Sequence, residues 1–269
     1  KPAVAGQFYP ESELELRKML KNLFLSVEKE FEPEHISGLI APHAAYIYSG
    51  KQAAKAYQYV QGKDYELLCV ISPSHRMYFQ GVSVYPFAAY KTPLGVSFVH
   101  EEARELLLQR NYIKDDPRPH TSEHALEVHV PFLQYLFPDT PILPLIMGDQ
   151  GEDSIELLAN EIEVLAEYFN NKILFVASSD LSHFYPSEIA EQKDKTLIEL
   201  LKDAKLGTVL EKVKSEEIEA CGAGPILALM KGLNIDKEHI NMLGYTHSGE
   251  ISGDNSGVVG YTSAVLLKD

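Results

Sequence analysis

The chain has 269 residues, 45% of them hydrophobic, which is enough for one large globular domain with a substantial core. Its formal net charge of -15 argues against nucleic acid and anionic membrane surfaces as partners, because both require a basic face. The sequence has no apolar run long enough to span a bilayer and no signal segment, so we expect a cytoplasmic protein. No linker divides it, and we expect a single domain over residues 1–269.

The chain begins with a clear helix and continues with two short apolar runs. Ser12 and Glu15 form a capping-box pattern, and an apolar stripe at helical spacing covers residues 16–27. Continuous apolar runs of strand length follow at residues 37–41 and 66–71. Such a run buries both faces of a strand, which is typical of a parallel sheet covered by helices.

The rest of the chain alternates strands with helices. Residues 81–99 lack helical spacing and indicate a β excursion with turns at its prolines. The further predicted elements are a strand over residues 141–146, a helix over 155–169, a strand over 173–177, a helix over 224–232 and a strand over 257–267. This alternation predicts an α/β fold, with a mainly parallel sheet flanked by helices in one layered domain.

Three of the predicted strands are each followed by a histidine, namely His43, His75 and His183. Because the carboxyl ends of parallel strands lie at one edge of an open sheet, we expect these side chains to converge. Imidazole is the commonest neutral nitrogen ligand for transition metals and the usual general base near neutral pH. The pattern therefore predicts a shared metal-type site. The alternative is that each histidine makes ordinary hydrogen bonds in a separate loop.

A second group of chemically active residues begins at Glu123. If this stretch is helical, Glu123 and Glu127 share a face and His124 lies beside Glu127, a spacing found in helical metal sites. The alternative is a solvated stretch at the start of a helix.

Two glycine-rich segments and the cysteines complete the candidates. Residues 222–225 could hold an anion at a helix start, but the absence of a P-loop lysine favours a simple turn. Residues 248–257 form a polar loop whose length suits a binding loop, with a flexible connector as the alternative. Cys69 lies within an apolar run and is interpreted as a buried hydrophobic residue, not half of a disulfide.

The residues around these histidines resemble those of the Memo family, named for a mediator of ErbB-driven cell motility. Residues 2–10 resemble the opening signature of the family, residues 40–50 its first histidine motif and residues 72–75 its second. Further blocks that resemble the family in the same order lie at residues 90–95, 123–131 and 178–183. The resemblance spans nearly the whole chain.

The resemblance implies a fold similar to that of class III extradiol ring-cleaving dioxygenases, which are non-haem iron enzymes. It also implies metal ligands at His43 and His75, together with a cysteine that the animal family member carries in its C-terminal loop. Residues 248–257 contain no cysteine. We therefore expect Glu250 or Asp254 to serve as an acidic third ligand.

Two functions follow from the resemblance. In the first, the chain is a non-haem metal-dependent oxidoreductase with Fe(II) or copper (Cu) as cofactor. His183, which matches the acid/base residue of the dioxygenases, would then deprotonate a hydroxylated substrate, and Asp180 or a neighbouring carbonyl would orient His183. In the second, the chain is a non-catalytic protein that uses the old pocket to bind a peptide, a metal or a small molecule.

Overall fold

A large sheet with helices on both faces runs through the computed structural model, which describes residues 2–268. The strands are β1 (Ile36–Ala41), β2 (Leu67–Pro73), β3 (Val82–Val84), β4 (Ala89–Thr92), β5 (Gly95–Phe98), β6 (Ile113–Lys114), β7 (Ile142–Met147), β8 (Ile173–Ser178), β9 (His183–Tyr185), β10 (Ile240–His247) and β11 (Val258–Leu267). The helices are α1 (Glu13–Leu25), α2 (Tyr46–Val60), α3 (Glu101–Leu108), α4 (Pro117–His120), α5 (His124–Glu127), α6 (Val130–Leu136), α7 (Glu152–Tyr168), α8 (Ser187–Lys202), α9 (Leu206–Lys214), α10 (Ala223–Gly232) and α11 (Gly249–Ser252).

Four parallel strands form the centre of the sheet, in the order β1-β8-β2-β7. The full order is β10-β11-β1-β8-β2-β7-β3-β6, with β9 paired to β11 and a separate β4–β5 hairpin. The neighbours β11 and β3 run antiparallel to β1 and β7. These four central strands are the ones that the apolar runs predict, and the α/β fold is confirmed.

Burial on both faces of the sheet explains the continuous apolar runs. In β2, Leu67, Cys69 and Ile71 pack into one core cluster, which includes residues of α7 and α10. Leu68 and Val70 pack into the other cluster, which includes residues of α1 and α2. Alternate side chains of a strand point to opposite faces, so the sheet separates two helical layers. Cys69 is a buried free cysteine, as predicted.

The other predicted elements lie close to where the sequence places them. At the start of α1 the Ser12 hydroxyl accepts a hydrogen bond from Glu15 N (3.5 Å), which confirms the cap. Helices α7 and α10 match the second and third predicted helices, residues 81–99 contain β3 and the β4–β5 hairpin, and β11 is the predicted last strand. Among residues 2–268, no helix combines the length and the apolar character that a membrane crossing requires.

Candidate metal centre

Three histidine side chains meet at the edge of the sheet where the central parallel strands end. His43 follows β1, His75 follows β2, and His124 is the first residue of α5. One ligand nitrogen from each ring lies within 4.8 Å of the others, so the three could hold a metal ion. The His43 ring is buried, whereas the His75 and His124 side chains are 28% and 16% exposed. The histidine trio is therefore accessible from solvent on one side.

Buried hydrogen bonds fix the position of the His43 ring. Its backbone N–H donates to Asp180 Oδ1 (2.7 Å), and its Nδ1 lies 2.7 Å from Ser178 Oγ. Its Nε2 faces Cys221 Sγ at 3.2 Å and Asp180 Oδ2 at 4.0 Å. Burial, followed by the neighbouring ring of His75, lowers the pKa of His43 well below its usual value. The ring is therefore neutral at physiological pH, which is the form that ligates metals.

Glu123 fixes the position of the His75 ring through hydrogen bonds. Its carboxylate accepts hydrogen bonds from His75 N (2.6 Å), His75 Nδ1 (3.0 Å) and Ala125 N (3.0 Å). Burial opposes ionisation of Glu123, but hydrogen bonds from His124, His75 and the Ala125 amide outweigh it and hold the pKa of the carboxyl well below its usual range. Because a carboxylate only accepts hydrogen bonds, His75 donates from Nδ1 and its Nε2 is the nitrogen left for another partner.

Cys221 reaches the same site from the segment that precedes α10. Its Sγ contacts His43 Nε2 and accepts a hydrogen bond from Asp180 N (3.2 Å). Gly222 permits this close approach, since a Cβ at that position would lie 2.0 Å from Ser178 O. Burial, and secondly the charge of Asp180, raises the pKa of the Cys221 thiol. A thiol with a raised pKa is protonated at neutral pH, so ligation of a metal would require it to lose that proton.

Sequence patterns alone do not place His124 and Cys221 at this site. They put His124 in a separate cluster and interpret residues 222–225 as a turn before a helix. The turn before α10 is confirmed, and it is also what brings Cys221 to the end of β8. The available signal is a cysteine directly before a glycine at a helix start, which indicates close packing but not against which strand.

His183 is not a member of the histidine trio. It is the first residue of β9, pairs with Val259 of β11 and is half-buried. Its backbone N–H lies 3.3 Å from Glu219 Oε2. Burial raises the pKa of Asp180, and the charge of His183 opposes that rise, so the two residues interact electrostatically. Catalytic roles for His183 and Asp180 stay predictions.

Glu250 and Asp254, the acidic ligands expected from the sequence, lie on the surface. Glu250 belongs to α11 and is exposed. The exposed Asp254 carboxylate accepts hydrogen bonds from Ser256 N (2.9 Å) and Ser256 Oγ (2.6 Å). The structure brings neither carboxylate into the histidine trio, and ligation by either stays a prediction.

Glu127 bonds to the N-terminal segment and is not part of the trio. Its carboxylate accepts hydrogen bonds from Ala3 N (2.7 Å), Val4 N (3.0 Å) and Tyr9 Oη (2.6 Å). The Phe8 ring then lies 4.9 Å from the ring of His124. The first residues therefore form one wall next to the site, and Glu123 and Glu127 serve two different segments.

Comparison with known proteins assigns this arrangement to a family. The sequence profile described as Memo-like protein matches residues 1–265. The chain belongs to the Memo family. This Memo-family chain is 34% identical to a MEMO1 family protein of Thermoplasma volcanium, over 100% of this chain and 98% of that protein. It is 35% identical to one of Thermotoga maritima, over 99% of each, and 36% identical to one of Methanosarcina barkeri, over 98% of each.

A solved structure supports the fold assignment. The crystal structure of an uncharacterized protein from Escherichia coli K12 covers 86% of this Memo-family chain and 100% of its own, with a TM-score of 0.55 and 14% identity. At that identity the similarity is one of fold alone.

Proposed function

We propose that this Memo-family chain binds a transition-metal ion through His43, His75 and Cys221, with His124 beside them, and acts as a non-haem metal-dependent oxidoreductase. The observation that supports this most directly is the histidine trio, whose ligand nitrogens lie within 4.8 Å of one another. Cys221 Sγ, 3.2 Å from His43 Nε2, offers a fourth donor.

The donor set fits Fe(II) or copper. Imidazole suits iron, copper, zinc and nickel, and a thiolate adds affinity for the softer of these ions. His75 has its Nδ1 held by Glu123, which leaves Nε2 for a ligand. His124 Nδ1 lies 3.2 Å from Oε1 of the same carboxylate, so this ring can also present its Nε2 to a ligand.

A bound Fe(II) or copper ion would supply redox chemistry and open positions for a substrate. The residues of the chain would supply binding and proton transfer. Asp180, buried and bonded to the His43 amide, would position that ligand and orient His183. His183 would take the proton of a hydroxylated small molecule, as its resemblance to the dioxygenase acid/base residue implies. A cytoplasmic location belongs to the same proposal.

Metal content tests the binding step. Protein purified without chelator or affinity tag is expected to retain Fe(II) or copper, and the double variant His43→Ala, His75→Ala is expected to lose it. The exposed histidine variant His35→Ala is the matched control and should retain the metal. Equal metal content in the double variant and the wild type would refute the site.

Oxygen uptake with a panel of catechols tests the catalytic step. His183→Ala should keep its metal and lose about 10²–10⁴-fold in turnover, because a general base changes proton transfer and not coordination. No oxygen uptake by the metal-loaded wild type would refute the oxidoreductase. The non-catalytic alternative, a protein that binds a small molecule or a peptide at this pocket, would then account for the site.

A further inference from the structure

Behind His43 lies a line of buried hydrogen-bonding groups that the proposed chemistry does not use. Tyr57 Oη lies 2.9 Å from His129 Nδ1, and His129 Nε2 lies 2.8 Å from Ser178 Oγ. Ser178 Oγ lies 2.7 Å from His43 Nδ1 and 2.7 Å from Ala125 O. Tyr57, His129, Ser178 and His43 are at most 1% exposed, so bulk water cannot replace a missing partner.

The hydrogen bonds at Ser178 determine where the protons are. A serine hydroxyl has one proton to donate and two lone pairs to accept with. The carbonyl of Ala125 can only accept, so the Ser178 proton points at Ala125 O. The hydroxyl oxygen must then accept in its two remaining hydrogen bonds. His43 Nδ1 and His129 Nε2 are the donors, so each must carry a proton.

The same count of protons and lone pairs determines the protonation of the other ring nitrogen of His43, Nε2. The neutral ring has one proton, and with that proton on Nδ1 its Nε2 holds a lone pair. Nε2 lies 3.2 Å from Cys221 Sγ, closer than the other acceptor of the thiol, Asp180 O at 3.6 Å, so the thiol proton is donated to Nε2. His129 follows the same logic, because a neutral ring with its proton on Nε2 accepts from the Tyr57 hydroxyl at Nδ1. Burial lowers the pKa of His129 to about 3, which agrees with a neutral ring.

We propose that Ser178, anchored on the Ala125 carbonyl, is a positioning residue that keeps the proton of His43 on Nδ1 and so presents the Nε2 lone pair to the metal site. The metal part of this inference rests on the proposed function, whereas the proton position does not. The pair formed by Glu123 and His75 has the same arrangement, with Nδ1 held and Nε2 left free. The two proposed ligand rings are thus oriented through their Nδ1 atoms by different groups, the Ser178 hydroxyl for His43 and the Glu123 carboxylate for His75.

The proton position can be measured in metal-free protein with ¹⁵N-labelled histidine. Long-range ¹H–¹⁵N correlation spectra distinguish the two tautomers, and His43→Gln identifies the His43 signals. We expect the wild type to show His43 protonated at Nδ1 only. Ser178→Ala should move the proton to Nε2 or leave a mixture, and Ser178→Thr should restore the wild-type pattern. A wild-type ring protonated at Nε2 would overturn the inference even if Ser178→Ala does not fold.

Two further variants separate positioning from general packing. Ser182→Ala is the matched control, because Ser182 is equally buried in the same segment but interacts with Asp194 and not with His43, and it should leave the His43 tautomer unchanged. Tyr57→Phe should also leave it unchanged, since the anchor is Ala125 O and not the tyrosine. An unchanged tautomer in Ser178→Ala would overturn the inference.

Metal affinity connects this inference to the proposed function. With Fe(II) alone as the probe, Ser178→Ala is expected to bind about 10–100-fold more weakly than the wild type, and Ser178→Thr and Ser182→Ala within about twofold of it. Equal affinity of Ser178→Ala and the wild type would refute the positioning role. Absence of Fe(II) binding by the wild type, with His43 protonated at Nδ1, would refute the proposed function and leave the proton assignment standing.

Discussion

Two loops that follow strands of the same sheet have opposite characters. Residues 179–182, after β8, are buried, and Asp180 among them bonds to His43, whereas residues 250–257, between β10 and β11, are exposed and bond mainly to one another. Both strands end at the same edge, because β10 and β8 each run parallel in direction to β1. They differ in lateral position, since β8 lies between β1 and β2 and β10 lies two strands beyond β1. Sharing an edge is therefore not enough, because a segment must also lie close to the ends of β1, β8 and β2 to reach the histidine trio.

The largest expected difference concerns a glycine beside each loop. Gly222→Ala would place a Cβ 2.0 Å from Ser178 O, so we expect it to lower the free energy of unfolding by about 3 kcal/mol. Gly257→Ala meets its nearest atom at 3.6 Å and should change stability by less than about 0.5 kcal/mol. Urea denaturation of both variants measures the difference. Equal stabilities would show that the loop after β8 is not tightly packed.

The next effect concerns Cys221, the proposed third metal ligand. Cys221→Ser is expected to weaken Fe(II) binding by about 100-fold, or ~2.7 kcal/mol, because it removes the donor that faces His43. Glu250→Gln and Asp254→Asn, the ligands expected from the sequence, should each leave the affinity within about twofold of the wild type, since both residues are exposed. Titration calorimetry with Fe(II) under nitrogen measures all three. The opposite ranking would return the ligand role to the C-terminal loop.

Strand order is the information that the sequence lacks. The runs that contain Leu39 and Val70 predict buried parallel strands, and the histidines that follow β1 and β2 do lie together. Nothing in those runs states that β8 inserts between β1 and β2, or that α5 brings His124 over the edge. His183 is five residues beyond the end of β8, far enough for the chain to turn away and pair with β11. The fold was predictable from local patterns, and the complete site depends on which strands are neighbours.

A smaller expected effect is a pH dependence of the free energy of unfolding, which comes from buried histidines near this edge of the sheet. Burial lowers the pKa of His43, His129 (to about 3) and His120 (to about 4), so the unfolded chain binds more protons below its ordinary histidine pKa. The stability from these neutral rings is present above about pH 6.5 and is lost as pH falls toward the folded values, at up to about 1.4 kcal/mol per pH unit for each ring. The raised pKa values of Asp180 and Asp194 have the opposite sign and reduce this slope.

Urea denaturation at pH 7.5, 6.0 and 5.0 measures that slope. His129→Gln should reduce the slope of unfolding free energy against pH by up to about 1.4 kcal/mol per pH unit, which corresponds to the uptake of one proton. This holds whatever the effect of the substitution on stability at neutral pH. The exposed His35→Ala should keep the wild-type slope. A wild-type stability that does not fall between pH 6.5 and 5 would contradict the assignment of these rings as neutral.

The smallest expected effect is that of Asp254→Ala. This residue is exposed and its carboxylate accepts hydrogen bonds from Ser256, two residues further on, in a local turn, so its removal should change the free energy of unfolding by no more than about 0.5 kcal/mol. Thermal unfolding against the wild type measures it. A larger loss of unfolding free energy would mean that the C-terminal loop contributes more to stability than its exposure suggests.

The strand order also has a consequence for how the chain folds during synthesis. β1 is synthesised before both of its neighbours in the sheet, since Leu39 pairs with Val176 on one side and Val265 on the other. Until those partners are made, an apolar strand has both of its edges open to other nascent chains. The high sequence separation of these pairs predicts slow folding. His43, which follows β1, can form its hydrogen bond with Ser178 only after Ser178 has been translated. Metal capture at this edge would therefore follow synthesis of β8.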